Sequence, residues 1–211
     1  MRPQPRAALD VSQLPASAMD ARSPVWWGNL LLICIETTSM VLLIASYFYI
    51  RRNFWEWPPP LANYNPPIYD PSPDWIPGTL NVLILAASTY LMYLTDMSAR
   101  RHDTPRTRLL LLGMVLVAAA TSAIRFWEFH GVHFRWDDNA YASITWTILG
   151  THLIYLAGTG LEFVIALAWA ATHPLDEKHA LDITLMGGYW YWAVAIWVPT
   201  YVILYWYPRW S

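Results

Sequence analysis

The sequence is poor in charged residues and in cysteine. Only 13% of its 211 residues are Asp, Glu, Lys or Arg, whereas a soluble domain typically contains about 25%. Because Cys34 is the single cysteine, an internal disulfide, a CxxC redox pair and a cysteine-ligated iron–sulfur cluster are all excluded. The formal net charge of −2 offers no basic surface, so we expect no nucleic-acid partner.

Long apolar segments take the place of the missing charges. Hydrophobic residues make up 56% of the chain, and many of its 14 tryptophans lie near the ends of these segments, as in the aromatic belts of membrane proteins. Each segment is long enough to cross a bilayer as a helix. The predicted helices cover about residues 26–50, 76–95, 108–129, 141–172 and 183–207. The sequence therefore predicts an all-α integral membrane protein, a bundle of five transmembrane helices.

The remaining regions predict the domain limits and the orientation. Residues 1–24 are rich in Pro, Ala, Ser and Arg without periodicity, which predicts a disordered tail before a single membrane domain of residues 25–211. Residues 53–77 are dense in proline and are expected to form an ordered surface loop rather than a span. Lys and Arg are more frequent in the tail and in the second and fourth loops. This bias predicts a cytoplasmic N-terminus and a periplasmic C-terminus.

A few polar and small residues interrupt the predicted helices. Ionisable groups are expensive inside a membrane, so we expect them in the bundle interior or at a lipid-filled cleft. They are Glu36, Glu128, His152 and Glu162. Glycines and aromatic residues in the last two helices are expected to make close helix contacts. These are Gly150, Gly158, Gly160, Trp190 and Trp197.

The histidines and carboxylates were considered as possible reaction centres. A haem held across a bundle needs two buried histidines, and only His152 lies well inside a predicted helix. His130 and His133, with Asp137 and Asp138 nearby, form at most a weak pattern for a surface metal. The intramembrane carboxylates suggest proton transport as an alternative. No nucleophilic triad, phosphate loop or dinucleotide motif is present, so we expect no catalytic residues and no metal site in this chain.

Several residues, in this order along the chain, resemble subunit III of the haem–copper oxidases. The matching positions are Glu36, Glu128–Phe129, Tyr141 and Ser143, Gly150-Thr151-His152, Tyr189–Trp190 and Trp197. Three positions depart from the family pattern, since Tyr155, Tyr191 and Val194 stand where the family usually has His, His and Asp. The two helices that begin many longer members have no counterpart here, as in the quinol-oxidase branch.

The resemblance implies a five-helix, non-catalytic subunit of a terminal oxidase in aerobic respiratory electron transport. Such a subunit packs against the catalytic subunit I and subunit II, which carry the haem and copper, and binds no cofactor itself. It holds phospholipid in a cleft and supports assembly and sustained proton uptake in a bacterial inner membrane. Two alternatives remain open: a related accessory subunit of nitric oxide reductase, and a free-standing transporter or lipid-binding protein.

Overall fold

The computed structural model describes residues 23–62, 64–69 and 71–210, and its regular structure is helical. The five helices are α1 (Pro24–Arg51), α2 (Trp75–Arg100), α3 (Thr104–His130), α4 (Ala140–Thr172) and α5 (Glu177–Tyr201). A π-helical turn, Val202–Trp206, and a 3-10 turn, Tyr207–Arg209, follow α5. The all-α prediction is confirmed for the described part of the chain. Residues 1–22 of the predicted tail lie outside the described residues.

Side-chain caps explain where three of the helices begin. Asp103 accepts a hydrogen bond from the Arg106 amide at 3.3 Å before α3, and Asn139 accepts one from the Ala142 amide at 2.8 Å before α4. Asp176 accepts one from the His179 amide at 2.9 Å before α5. Such caps satisfy amide groups that have no partner within the helix. Because capped turns stay helical beyond the apolar run, α3 begins at Thr104 and α5 at Glu177, several residues before the apolar segments on which the sequence prediction rests.

Helices α1 to α4 are long and apolar enough to cross a membrane, by length and composition. Helix α5 is not among them. Its first turns carry Glu177, Lys178 and Asp182, and its remainder is rich in Trp, Tyr and Gly, which contribute little hydropathy. A fifth crossing therefore stays a prediction for this helix.

The helices form a four-membered ring with α1 attached at one edge. In the ring α2 packs against α3, α3 against α4, α4 against α5 and α5 against α2, while α1 contacts α4 and α5. Only Met40 and Tyr47 of α1 are buried, so most of this helix is open to lipid or to a partner. The core accordingly lies between α2, α3, α4 and α5.

The proline-rich loop after α1 is ordered by an aromatic cluster. Trp57 is buried and donates a hydrogen bond from its indole to the Tyr47 hydroxyl at 3.0 Å. Its ring also meets the Tyr141 ring edge-on, with centroids 4.8 Å apart. The loop is thereby fixed to one end of α1 and to the start of α4.

Candidate functional site

Six polar and aromatic side chains meet inside the four-helix ring and form what we call the buried cluster. Its members come from α2, α3, α4, α5 and the π-helical turn, and each is at most 2% exposed. They are Asn81, Arg125, Glu128, His152, Trp197 and Tyr205. Every helix of the ring thus contributes to one connected polar centre.

Arg125 is the centre of the buried cluster. One end of its guanidinium forms an ion pair with Glu128, and Nη2 donates to His152 Nδ1 at 2.8 Å. Its Cζ lies 3.9 Å from the centroid of the Trp197 ring, which is suitable for a cation–π contact. The three-residue spacing of Arg125 and Glu128 in α3 indicates that the two can pair, and in the fold this pair is enclosed between helices with no exposed side chain.

His152 connects α4 to both α3 and α5. Its Nε2 lies 3.1 Å from the Ala193 carbonyl oxygen, which can only accept a hydrogen bond, so Nε2 carries the proton. Nδ1 then accepts from Arg125, and the imidazole is neutral. The ring also stacks on Trp197 with centroids 4.2 Å apart. Both nitrogens are engaged, which leaves neither available to a metal without breaking a helix contact.

Glu128 is held by three donors inside the bundle. Besides the ion pair with Arg125, it accepts from Asn81 Nδ2 at 3.0 Å and from the Tyr205 hydroxyl at 3.0 Å. These bonds satisfy a buried carboxylate at several of its lone pairs. Glu128 is therefore a structural anchor joining α2, α3 and the end of α5.

Glu36 belongs to a second group of polar contacts, between α1 and the ring. The Tyr189 hydroxyl donates to the Glu36 carboxylate, and the Tyr155 hydroxyl donates to the Glu36 backbone carbonyl at 3.3 Å. One residue further on, Thr37 accepts from the Trp192 indole at 2.7 Å. Glu36 is half-buried and faces the seam where α1 meets α4 and α5.

Glu162 is exposed and lines an open cleft of about 370 Å³ between α1, α4 and α5. Asn29 and Asp182 also line this cleft, together with apolar residues such as Val25 and Leu185. Asn29 bridges it by donating to the Leu185 carbonyl at 3.2 Å. Of the four ionisable residues selected from the sequence, two therefore meet in the buried cluster, and the other two lie along the attachment of α1.

The predicted helix-contact residues divide into two sets. A Cβ on Gly160 would lie 3.1 Å from the Ala118 Cβ, so α3 approaches α4 closely there, whereas a Cβ on Gly150 or Gly158 would have no described atom within 4 Å. The close contact expected at Gly150 and Gly158 is thus not made within the described chain, because these glycines face away from the ring. Trp190 does join two helices, through an indole bond to Ser88 at 2.9 Å.

Sequence reasoning missed two members of the buried cluster, Asn81 and Tyr205. Asn81 is an amide inside an otherwise apolar stretch of α2, a signal that could have marked it. Tyr205 follows Trp197 and Tyr201 at four-residue spacing, a pattern that indicates a packed aromatic seam rather than a polar contact. Its reach to Glu128 depends on Gly78, where a Cβ would lie 2.6 Å from the Tyr205 ring, and this dependence is visible only in the fold.

The loop histidines have separate partners. His130 Nδ1 is 2.8 Å from the Phe126 carbonyl oxygen, which makes it a donor to its own helix. His133 Nε2 lies 3.3 Å from Asp74, the residue that precedes α2. Within the described residues, no three His, Cys, Asp or Glu side chains are grouped as a metal site.

Comparison with known proteins finds relatives along most of the chain. The chain is similar to cytochrome c oxidase subunit 3. It is 20% identical over 181 residues to that subunit from Thermostichus vulcanus, covering 84% of this chain and 85% of the relative. A probable cytochrome c oxidase subunit 3 of Mycobacterium leprae is 22% identical over 183 residues, with 84% and 85% covered.

The likeness extends beyond bacteria but at similarly low identity. Cytochrome c oxidase subunit 3 of Petromyzon marinus is 22% identical over 150 residues, covering 71% of this chain and 55% of the relative. No family model matches the chain. The chain is thus similar to oxidase subunit 3 along most of its length, and four of its helices are long and apolar enough to cross a membrane.

Proposed function

We propose that the chain is a non-catalytic integral subunit of a haem–copper terminal oxidase in a bacterial inner membrane. It crosses the membrane five times, with its N-terminus cytoplasmic and its C-terminus periplasmic, and packs against the catalytic subunit I and subunit II. There it supports assembly, holds phospholipid and sustains proton uptake by the catalytic subunit. The observation that carries this proposal is the similarity to cytochrome c oxidase subunit 3 along 84% of the chain.

The geometry of His152 supports placing haem and copper in the partner subunit. Both ring nitrogens are engaged, one with Arg125 at 2.8 Å and the other with the Ala193 carbonyl at 3.1 Å. Using this histidine as an axial ligand would leave the buried Arg125 without one of its acceptors. The cost of such an unpaired charged group makes ligation by this chain unfavourable.

The surroundings of Glu36 support a role at the boundary of the subunit. Glu36 is half-buried where α1 meets α4 and α5, and the same three helices form the cleft lined by Asn29 and Glu162. A cleft with apolar walls and a few polar groups suits a lipid whose acyl chain lies along the walls and whose headgroup lies near the polar residues. A carboxylate in such a place can exchange protons with its surroundings, whereas Glu128 is enclosed.

Affinity purification of the tagged chain in mild detergent tests the proposal. We expect a large polytopic partner, haem bands in a reduced-minus-oxidised absorption spectrum and oxygen consumption. Reduction of nitric oxide instead of oxygen would select the nitric oxide reductase alternative. A colourless, solitary chain with transport activity in liposomes would contradict both and favour a free-standing transporter.

The role of Glu36 is tested separately in the purified complex. Glu36→Ala should leave the haem content intact while shortening activity under sustained turnover or weakening assembly. Tyr189→Phe, which removes only the hydroxyl that donates to Glu36, should shift the same property in the same direction. Glu177→Ala, at an exposed position, serves as the control, and equal endurance of all three variants and the wild type would refute this role.

A further inference from the structure

A polar pocket lies at the end of the bundle where α1 and α5 finish, and we call it the end pocket. Its volume is about 420 Å³. It combines two permanently charged guanidinium groups with one carboxylate and several aromatic rings. Its principal lining residues are Arg51, Trp55, Glu56, Trp57, Tyr69 and Arg209. It is separate from the cleft between α1, α4 and α5, and the proposed function assigns it no role.

Arg51 brings a permanent positive charge to the end pocket. It is the last residue of α1, and its Nη1 donates to the Phe54 carbonyl at 3.0 Å. Its Cζ lies 6.0 Å from the centroid of the Trp57 ring. An anion that enters the pocket beside Arg51 is attracted by this charge.

Arg209 is held on the opposite side by the chain end. It ends the 3-10 turn that follows the π-helical turn, and it donates to the carbonyls of Tyr205 and, at 2.7 Å, Pro73. Arg209 also lines a neighbouring groove of about 160 Å³ with Trp75 and Trp206. The polar end pocket and this aromatic groove therefore meet at one arginine.

The position of the end pocket across the membrane indicates which ligands are available to it. Helix α1 has 28 residues and is about 42 Å long at 1.5 Å per residue. This exceeds the hydrocarbon thickness of about 30 Å, so the Arg51 end reaches the headgroup layer. Trp55 and Tyr69, both highly exposed, suit the same layer. Phosphate is the abundant anion there, and guanidinium groups match it well.

We propose that the end pocket binds the phosphate of one phospholipid headgroup, with an acyl chain lying along the groove between Trp75 and Trp206. Arg51 and Arg209 bind the phosphate, and the exposed aromatic rings flank it. Glu56 lowers the affinity for a second negative charge, so it favours phosphatidylethanolamine over phosphatidylglycerol. A free phosphate ion would use the arginines but would leave the aromatic groove unused.

Native mass spectrometry of the purified full-length chain, with whatever partners co-purify, counts the lipids bound after delipidation. The protein is titrated separately with phosphatidylethanolamine, phosphatidylglycerol, diacylglycerol and inorganic phosphate. We expect one phospholipid fewer in Arg51→Gln and in Arg209→Gln, with affinity about tenfold weaker for each lost charged contact. Arg52→Gln, at the exposed neighbouring position, should bind as the wild type does.

A variant that binds lipid more tightly than the wild type distinguishes a direct effect on binding from misfolding, because a misfolded variant would only lose affinity. Glu56→Gln should bind phosphatidylglycerol more tightly than the wild type does, with little change for phosphatidylethanolamine, because only a negative charge is removed. Equal lipid counts in Arg51→Gln and Arg52→Gln, or equal binding of diacylglycerol, would overturn the proposal. Inorganic phosphate that displaces the lipid would assign the end pocket to free phosphate and overturn it as well. None of these outcomes bears on the oxidase proposal, which depends on co-purifying chains.

Discussion

Replacing Arg125 with methionine should destabilise the bundle more than removing any exposed arginine. The Arg125 side chain has no exposed surface, and methionine keeps similar length without the charge. The substitution leaves the Glu128 carboxylate buried with only Asn81 and Tyr205 as donors. It also leaves His152 Nδ1 without its donor.

The magnitude follows from the contacts that are lost. Breaking a buried ion pair by removing one partner costs about 3–5 kcal/mol, because the remaining charge is uncompensated. The cation–π contact with Trp197 at 3.9 Å adds to the loss. Folding free energies are typically about 5–15 kcal/mol. We therefore expect Arg125→Met to remove a large share of the stability, about 4 kcal/mol.

Reversible unfolding in mixed micelles of a mild detergent and dodecyl sulfate measures this difference by circular dichroism. Arg100→Gln is the matched control, since Arg100 pairs with Asp96 at 2.9 Å but its side chain is 60% exposed. Exposed pairs contribute about 0–1 kcal/mol. A free energy of unfolding for Arg125→Met that lies within 1 kcal/mol of the control's would refute the reasoning.

A double variant tests whether the loss comes from the uncompensated charge. Arg125→Met combined with Glu128→Gln removes both charges and leaves an amide that Asn81 and Tyr205 can still bond. Because no buried charge remains, the double variant should be more stable than Arg125→Met alone. If the two losses simply add, the ion pair is not the source of the effect.

Three further predictions concern the packing and the helix ends. Gly78→Ala should cost about 1–3 kcal/mol, because its Cβ would lie 2.6 Å from the Tyr205 ring; thermal unfolding checks this. Gly160→Ala should lower the unfolding temperature, whereas Gly158→Ala, which meets no described atom within 4 Å, should raise it slightly through better helix propensity. The hydrogen bond from the His179 amide to the Asp176 carboxylate, at the start of α5, should weaken below about pH 4. The His179 backbone N–H and the His179 side chain hold the pKa of Asp176 below its ordinary value of about 3.9. A lowered pKa contributes stability above the ordinary value that is lost as pH falls. The protection of amides at the start of α5 against hydrogen exchange, taken relative to the intrinsic exchange rate at each pH, should therefore decrease in acid, and Asp176→Asn should lose this pH dependence.

The helical class of this chain could be predicted from sequence because apolar run length alone decides it. The runs that contain Glu36, Glu128 and Glu162 are too long and too apolar for anything but buried or membrane helices. Helix ends were less predictable, since the capped turns at Thr104 and Glu177 lie beyond the apolar residues. The spanning role of α5 is equally unresolved by hydropathy, because tryptophan and tyrosine are favourable at membrane surfaces and only weakly apolar.

The partners of the polar residues could not be predicted from spacing along one helix. Gly158 and Glu162 lie four apart and share a face, but only the packing shows that this face is open. Gly160, two residues on from Gly158, turns toward α3. The Tyr205 hydroxyl donates to Glu128 although 77 residues separate the two in the chain. This hydrogen bond requires α5 to pack against α2.

The attachment of α1 explains why Glu36, rather than Glu128, is the better candidate for a functional carboxylate. Glu128 is fixed by donors from three directions inside the ring, and its displacement would disturb every helix there. Helix α1 instead buries few side chains and is held largely by polar bonds around Glu36 and by the aromatic contacts of Tyr47. Single hydrogen bonds between membrane helices average about 0.6 kcal/mol, so a partner or lipid that shifts α1 needs little free energy to change the surroundings of Glu36. If the chain packs against a catalytic subunit as proposed, Glu36 is therefore the carboxylate whose surroundings that contact would change most easily.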